Sequence, residues 1–359
     1  MSEVPSKFFL PIGLVFLLIA TLGPNLLGQV IRGAYPVFPP SGVLQGKTVE
    51  QQVRFLKSMG VTLVGGRFQD GTLPKQLRAA GMKTLGMIVL WEGEEHWKSH
   101  PESQPVMSDG SPLPQFQDYA GVCPNQEWLQ KLKLEEIKTL LQHGYYDVIA
   151  LDFLQYPVQW KSSNPELPDT CYCRVCLGKF QKQTGIQIPR ELKQVADQAA
   201  WIRQNQASRW IRWRADQITA FCDKVSQLRD RTRPTTLIAL SAIPWQSTEY
   251  NNAIYQVAGQ DLKRLSKFVE VFAPMSYFQS LDRPVQWIAE VNAYFAHETG
   301  RQIWPRILMD SGNPLSRNGW KQVYELSSSR GADGFIITPF PSATGSEAYT
   351  VFLEMFGNR

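Results

Sequence analysis

Downstream of residue 30 the chain repeats one pattern: a short apolar, β-branched run, then a longer stretch whose apolar positions recur at helical spacing. That alternation marks βα units feeding a parallel sheet. The apolar runs fall at 30–38, 61–68, 83–91, 147–153, 236–242, 269–277, 303–309 and 334–339, and predict eight strands. Amphipathic stretches at 48–59, 126–142, 284–295 and 319–328 predict helices ahead of the second, fourth, seventh and eighth strands. A long helix is expected over about 201–229, and a last one over 346–356. Eight strands with a helix after each is the count that closes a (β/α)8 barrel, so the expected fold is an α/β TIM barrel filling residues 30–359. A doubly wound open sheet would carry a glycine-rich phosphate turn after its first strand. The chain reads Gly33-Ala34-Tyr35-Pro36-Val37-Phe38-Pro39-Pro40 there.

The repeat is interrupted twice, by residues 92–123 after the third strand and by 156–200 after the fourth. Loops that follow strands lie on the face where barrel enzymes build their sites, so these insertions are expected to wall one. Aromatic residues gather in and near them: Trp91, Trp97, Tyr119, Tyr156, Trp160, Trp245, Tyr277 and Phe278. Flat rings stack on the apolar faces of sugars, which makes Trp91, Tyr156, Trp160, Trp245 and Tyr277 candidates for substrate binding. For any single ring, ordinary packing of a large loop is the simpler account. Arg67, at the end of the second strand, suits a substrate hydroxyl or a carboxylate, and suits a structural ion pair equally. Trp201, Trp210 and Trp213 share helix-like spacing and are assigned to packing of the long helix.

The first 29 residues have a different texture. Residues 8–22 read FFLPIGLVFLLIATL without a charge, between a polar start containing Lys7 and Gly23-Pro24-Asn25. This is the make-up of a signal peptide or an N-terminal membrane anchor, and it reaches the roughly 20 residues of a bilayer span only by running through Pro24 and Asn25. No clean small-x-small site follows, which favours the uncleaved anchor. No cysteine follows to take a lipid. The barrel is therefore expected to be extracytoplasmic, periplasmic or at the cell surface. The 37 Lys and Arg exceed the 32 Asp and Glu by only five and are scattered, so no nucleic-acid partner is expected.

Four of the five cysteines carry a more specific signal. Three lie within Cys171-Tyr172-Cys173-Arg174-Val175-Cys176, and Cys123 lies in the other insertion. A bond between Cys171 and Cys173 would be badly strained, so the three sulfurs are more easily read as thiolate ligands of a structural zinc, with Cys123 completing a tetrahedron. A disulfide from Cys123 to one of the three, favoured by an oxidising location, and free thiols remain the competing readings. Cys222 sits among Ile218, Phe221 and Val225 and reads as a buried apolar thiol.

Val122-Cys123-Pro124-Asn125, the run Tyr146-Asp147-Val148-Ile149-Ala150-Leu151-Asp152, and the segment from Cys171 to Phe180 resemble the middle of glycoside-hydrolase-like barrel proteins. The cysteine spacing also resembles the zinc cluster of the family 42 β-galactosidases. The resemblance implies a retaining-type barrel enzyme acting on glycosidic bonds, with a catalytic acid at the end of the fourth strand. The chain departs from it there: family 42 carries an Asn-Glu pair where this sequence has Asp152-Phe153-Leu154-Gln155. The Asp-x-Glu of family 18, echoed by Ala273-Pro274-Met275-Ser276-Tyr277, likewise lacks its Glu.

Glycoside hydrolysis needs two carboxyl groups astride the scissile bond. Asp152 is the leading candidate, because it directly follows an apolar strand and so stands at the barrel mouth; a helix cap or loop ion pair is its structural alternative. Asp310 is the first choice for its partner and Glu94 the second, although Asp310 in Leu-Met-Asp-Ser-Gly suits a turn as readily. Glu92, Glu94 and Glu95 read first as a solvated acidic cluster. His96, His100, His143 and His297 are too dispersed for a histidine metal site, no serine elbow is present, and no catalytic cofactor is expected. The rival reading is a membrane-tethered barrel that binds carbohydrate without cleaving it.

Overall fold

The computed structural model describes residues 30–116, 119–309, 314–340 and 346–357. The proposed N-terminal anchor and Asp310 lie outside these residues. Among the described residues no helix is long and apolar enough to cross a membrane.

The apolar runs form strands because a parallel sheet is buried on both faces and tolerates no polar alternation. They are β1 (Ile31–Phe38), β2 (Leu63–Gly66), β3 (Lys83–Val89), β4 (Val148–Asp152), β5 (Leu237–Ala242), β6 (Val271–Pro274), β7 (Gln302–Ile303), β8 (Arg306–Leu308) and β9 (Gly334–Thr338). All pairings are parallel. The predicted seventh strand is split at Trp304-Pro305. Its first half pairs with β6 and its second with β9, so the curled sheet meets itself and the barrel closes. Pro305 lacks the N–H that a ladder needs, which interrupts the strand there, while Arg306 still bridges to Met275 just past β6.

Leu63, Leu85, Val148, Ala239, Val271, Trp304 and Ile336 fill the barrel interior, and a larger apolar layer lies between the strands and the surrounding helices. The predicted helices are present, and local causes set the ends of two of them. Thr48 and Gln51 form a reciprocal cap at the start of Val49–Ser58, and Gly144, at φ 68°, ends Glu127–His143 in the left-handed conformation that glycine adopts freely. Gly334 admits no side chain: a Cβ there would stand 2.0 Å from the Ile31 carbonyl oxygen, where β9 meets β1. At the strand starts, Glu270 accepts from the Ile238 amide and from Arg229, which ties the long helix to the sheet.

The long helix is Ala207–Thr232, and Val195–Asn205 is a separate helix before it. Gln206, at φ −138°, caps both. Trp201 therefore belongs to the shorter helix, while Trp210 and Trp213 stack at 5.0 Å and meet Phe180 edge-on.

Candidate active site and metal centre

β4 ends in Asp152, a buried residue whose side chain is 12% exposed at the barrel mouth. Its Oδ1 accepts from the Phe153 amide at 3.2 Å, and its Oδ2 lies 3.6 Å from Nη1 of Arg306, on β8 across the mouth. Nη1 also donates to Ser241 Oγ at the end of β5. The Arg306 guanidinium carbon lies 5.7 Å from the Tyr35 ring centre, so the pair is framed by side chains from β1, β4, β5 and β8. Phe153, which turns the chain away from β4, has φ 56°. That conformation is strained for an aromatic residue, and such strain is concentrated at functional sites. Beside Asp152 is a recess of about 50 Å³, with walls from Trp160 and Tyr277, whose rings lie 5.6 Å apart. Burial pushes the Tyr277 hydroxyl above its ordinary range and keeps it protonated.

The second carboxyl at the mouth is Glu92. Its backbone bridges to Gly121, so the end of the first insertion returns beside the end of β3. Val89 of β3 is in register with Asp152, which sets Glu92 just beyond the neighbouring strand end. Partial burial, then the charges of Glu95 and Asp152, hold the Glu92 carboxyl above the usual carboxylate range. Glu94, two residues on, opens a short helix, is exposed and pairs with Lys98 at 3.0 Å. The fold does not bring it to the recess. Glu249 is engaged by Arg283 and by the Gln246 amide within its own turn.

The sequence-derived aromatic set divides. Trp160 and Tyr277 line the recess, whereas Trp91 packs edge-on against Phe221 and Trp245 lies tilted against Tyr250, each tryptophan 1% exposed. Tyr156 has no exposed surface: its hydroxyl accepts from Asn125 and its ring lies against Arg214. Arg67 is exposed in a separate groove with Phe38 and Phe68. Sequence reasoning passed over Arg306, Gln155, Lys161, Phe153 and Tyr35. Of these only Arg306 left a signal, as a single charge inside the apolar run Ile303-Trp304-Pro305-Arg306-Ile307-Leu308.

The two insertions converge on a second centre. The sulfurs of Cys123, Cys171, Cys173 and Cys176 all lie within 4.8 Å of one another and are buried. Cys123 Sγ stands 3.7 Å from Cys173 Sγ and 3.5 Å from Cys176 Sγ. Four thiolates about 2.3 Å from a tetrahedral ion would be separated by about 3.8 Å. A disulfide would need about 2.05 Å, and all four cysteines are free. The donor set therefore fits a metal ion. Hydrogen bonding among the sulfurs and burial lift the Cys123 thiol well above its ordinary range, and a bound dication would reverse that by favouring the thiolates. Asn125 donates to Cys176 Sγ at 3.2 Å and to Tyr156 at 2.9 Å, while Lys179 donates to the Asn125 carbonyl, so the sulfurs have a built outer layer.

No family profile matches the sequence, and no curated protein matches it significantly. The structure is similar to the glycoside hydrolase domain of PgaB (BpsB) from Bordetella bronchiseptica, with TM-score 0.64 and 13% identity, over 87% of this chain and 93% of that one. A β-galactosidase from the psychrophilic Marinomonas ef1 superposes with TM-score 0.61 and 12% identity, over 87% and 57% of the two chains. A catalytic mutant of Gan42B, a GH42 β-galactosidase from G. stearothermophilus, gives TM-score 0.58 and 11% identity, over 87% and 55%. This chain thus spans a little over half of those galactosidases. The likeness is one of fold: a TIM barrel of the kind found in glycoside hydrolase domains.

Proposed function

We propose that the chain is a glycoside hydrolase acting outside the cytoplasmic membrane, with Asp152 as the charged carboxylate and Glu92 as the proton donor. The observation that supports this most is the set of groups at the mouth: a buried Asp152 at the end of β4, and a second carboxyl, Glu92, that partial burial and the charges of Glu95 and Asp152 hold above the usual carboxylate range. Cleavage needs that asymmetry. One group protonates the leaving oxygen while the other stabilises or attacks the anomeric carbon. Arg306 and the Phe153 amide orient the Asp152 carboxylate, and Trp160 and Tyr277 offer flat surfaces to a sugar. The cysteine centre is proposed to hold zinc, whose role is to fix the two insertions that wall the mouth; its ligands are Cys123, Cys171, Cys173 and Cys176. No step of the reaction passes through it.

The test is turnover on a panel of aryl glycosides and oligosaccharides. Asp152→Asn should fold as wild type and lose at least about 10³-fold in kcat, because electrostatic stabilisation in a water-poor site is commonly the largest catalytic factor. Glu92→Gln should lose about 10²–10⁴-fold on natural linkages and far less on activated aryl glycosides, which need no proton. An Asp152→Asn variant with wild-type turnover removes the assignment. The pairing of Asp152 with Arg306 favours one other reading, a tethered carbohydrate-binding barrel in which that ion pair is structural. Sugar binding with no hydrolysis across the panel would select it.

A further inference from the structure

Among the described residues, two buried donors at the barrel mouth meet no acceptor. Arg306 is 6% exposed; its Nη1 serves Ser241 and Asp152, but its Nε–H has no partner. Gln155 is 1% exposed; its carbonyl oxygen faces the Gln260 amide at 3.5 Å, which leaves Nε2 as the unpartnered end. Both side chains line the recess beside Asp152. Buried N–H groups without acceptors are rare in folded proteins, and two around one cavity mark a place for a ligand oxygen.

Two further lining residues, Lys161 and Tyr277, have the same polarity, beside the Asp152 carboxylate and the apolar Phe153, Trp160 and Met275. Lys161 stands at the opening, its ammonium 5.8 Å from the Phe153 ring centre and 5.9 Å from that of Trp160, and among the described residues it forms no ion pair. Tyr277 adds a hydroxyl. Asp152 answers one of the two cations, Arg306; Lys161 interacts with the charge of Glu92 but pairs with no carboxylate among the described residues, and so remains available to an incoming anion. A recess of about 50 Å³ holds a small planar group, roughly one or two water volumes, and not a pyranose ring.

We propose that this recess is the subsite for the carboxylate of a sugar acid, so that the chain selects uronate-bearing glycans over neutral ones. The proposal rests on the carbohydrate reading above but not on turnover. A carboxylate supplies two acceptor oxygens and one negative charge to Arg306 Nε, Gln155 Nε2 and Lys161, with the sugar ring outside the recess against Phe153 and Trp160. The hydroxymethyl group of a neutral hexose offers one oxygen and no charge, and leaves a buried donor unmatched.

The experiment titrates the full-length, metal-loaded protein in detergent with oligoglucuronides and oligogalacturonides, and with the same oligomers after reduction of their carboxyl groups to hydroxymethyl groups. Isothermal calorimetry at low ionic strength should show at least one acid series binding about tenfold or more tightly than its reduced counterpart. Lys161→Gln, at an exposed position, should keep the wild-type melting temperature and remove most of that gap. Equal binding of acid and reduced oligomers, no binding of any acid oligomer, preference for sulfated neutral oligomers, or a gap untouched by Lys161→Gln would each overturn the proposal. Acid oligomers bound but not cleaved would retire the hydrolase and keep the subsite. Cleavage confined to reduced oligomers would do the reverse.

Discussion

Replacing Cys123 with serine removes the sulfur through which the first insertion reaches the four-cysteine cluster, the proposed metal site. The other three ligands lie within one short segment, so Cys123 alone makes the centre a cross-link between the loops after β3 and β4. Cys123 and Cys176 are 53 positions apart, and closing a loop of that length removes about 4 kcal/mol of entropy from the unfolded chain. Serine, a poor ligand, forfeits that constraint and leaves buried thiols without a cation. For a domain of this size the loss corresponds to a fall in Tm of about 6 °C. Cys173→Ser should cost less, because Cys123, Cys171 and Cys176 still join the two loops. Cys222→Ser, at a buried thiol on the long helix remote in sequence from the cluster, should leave the metal content unchanged. The assay is elemental analysis of purified protein, expected to give about one zinc per chain for the wild type, together with melting curves with and without a chelator. Wild-type protein without metal, or Cys123→Ser with full metal content and an unshifted Tm, would refute the cross-link.

Tyr156→Phe removes the hydroxyl that Asn125 meets behind the cluster and should weaken metal retention about 10–100-fold without touching sugar binding, as read by chelator competition. The Glu92 carboxyl is raised in the folded state, so its stabilising contribution is present at acid pH and is lost as pH rises through its folded value. Glu92→Gln should therefore melt higher than wild type at pH 8 and match it near pH 4, while the alkaline limb of the activity profile flattens; a variant less stable at pH 8 would contradict the assignment. Phe153→Gly relieves a left-handed backbone worth about 1–2 kcal/mol but loses a ring stacked on Tyr119 at 5.2 Å. Its Tm should hence move by only a few degrees while carbohydrate affinity falls, and a large drop in Tm would show the strain to be illusory. If residues 8–28 anchor the chain, the full-length protein should resist alkaline extraction from membranes, and a version starting near Arg32 should be soluble; recovery of the full-length chain from the cytosol would exclude the anchor.

The sequence by itself determined the barrel. The apolar runs at 83–91, 147–153 and 334–339 became Lys83–Val89, Val148–Asp152 and Gly334–Thr338, because strands buried on both faces cannot be written in any other composition. The cysteine cluster was equally legible, since Cys-x-Cys spacing excludes a relaxed disulfide whatever the fold. The architecture of the mouth was not. Glu92 and Glu94 are two positions apart and alike in the sequence, yet the bridge to Gly121 half-buries one just past the end of β3, and a helix start sends the other to solvent. Tyr156, chosen as a sugar platform, is instead fully buried and accepts from Asn125 beside the cysteine cluster, because the loop after β4 folds back onto the segment holding Asn125. Arg306 meets Asp152 only because the split seventh strand closes the ring. Local pattern sets where a strand runs; which side chains share its far end is decided by closure between segments some 150 residues apart, and no local periodicity records that.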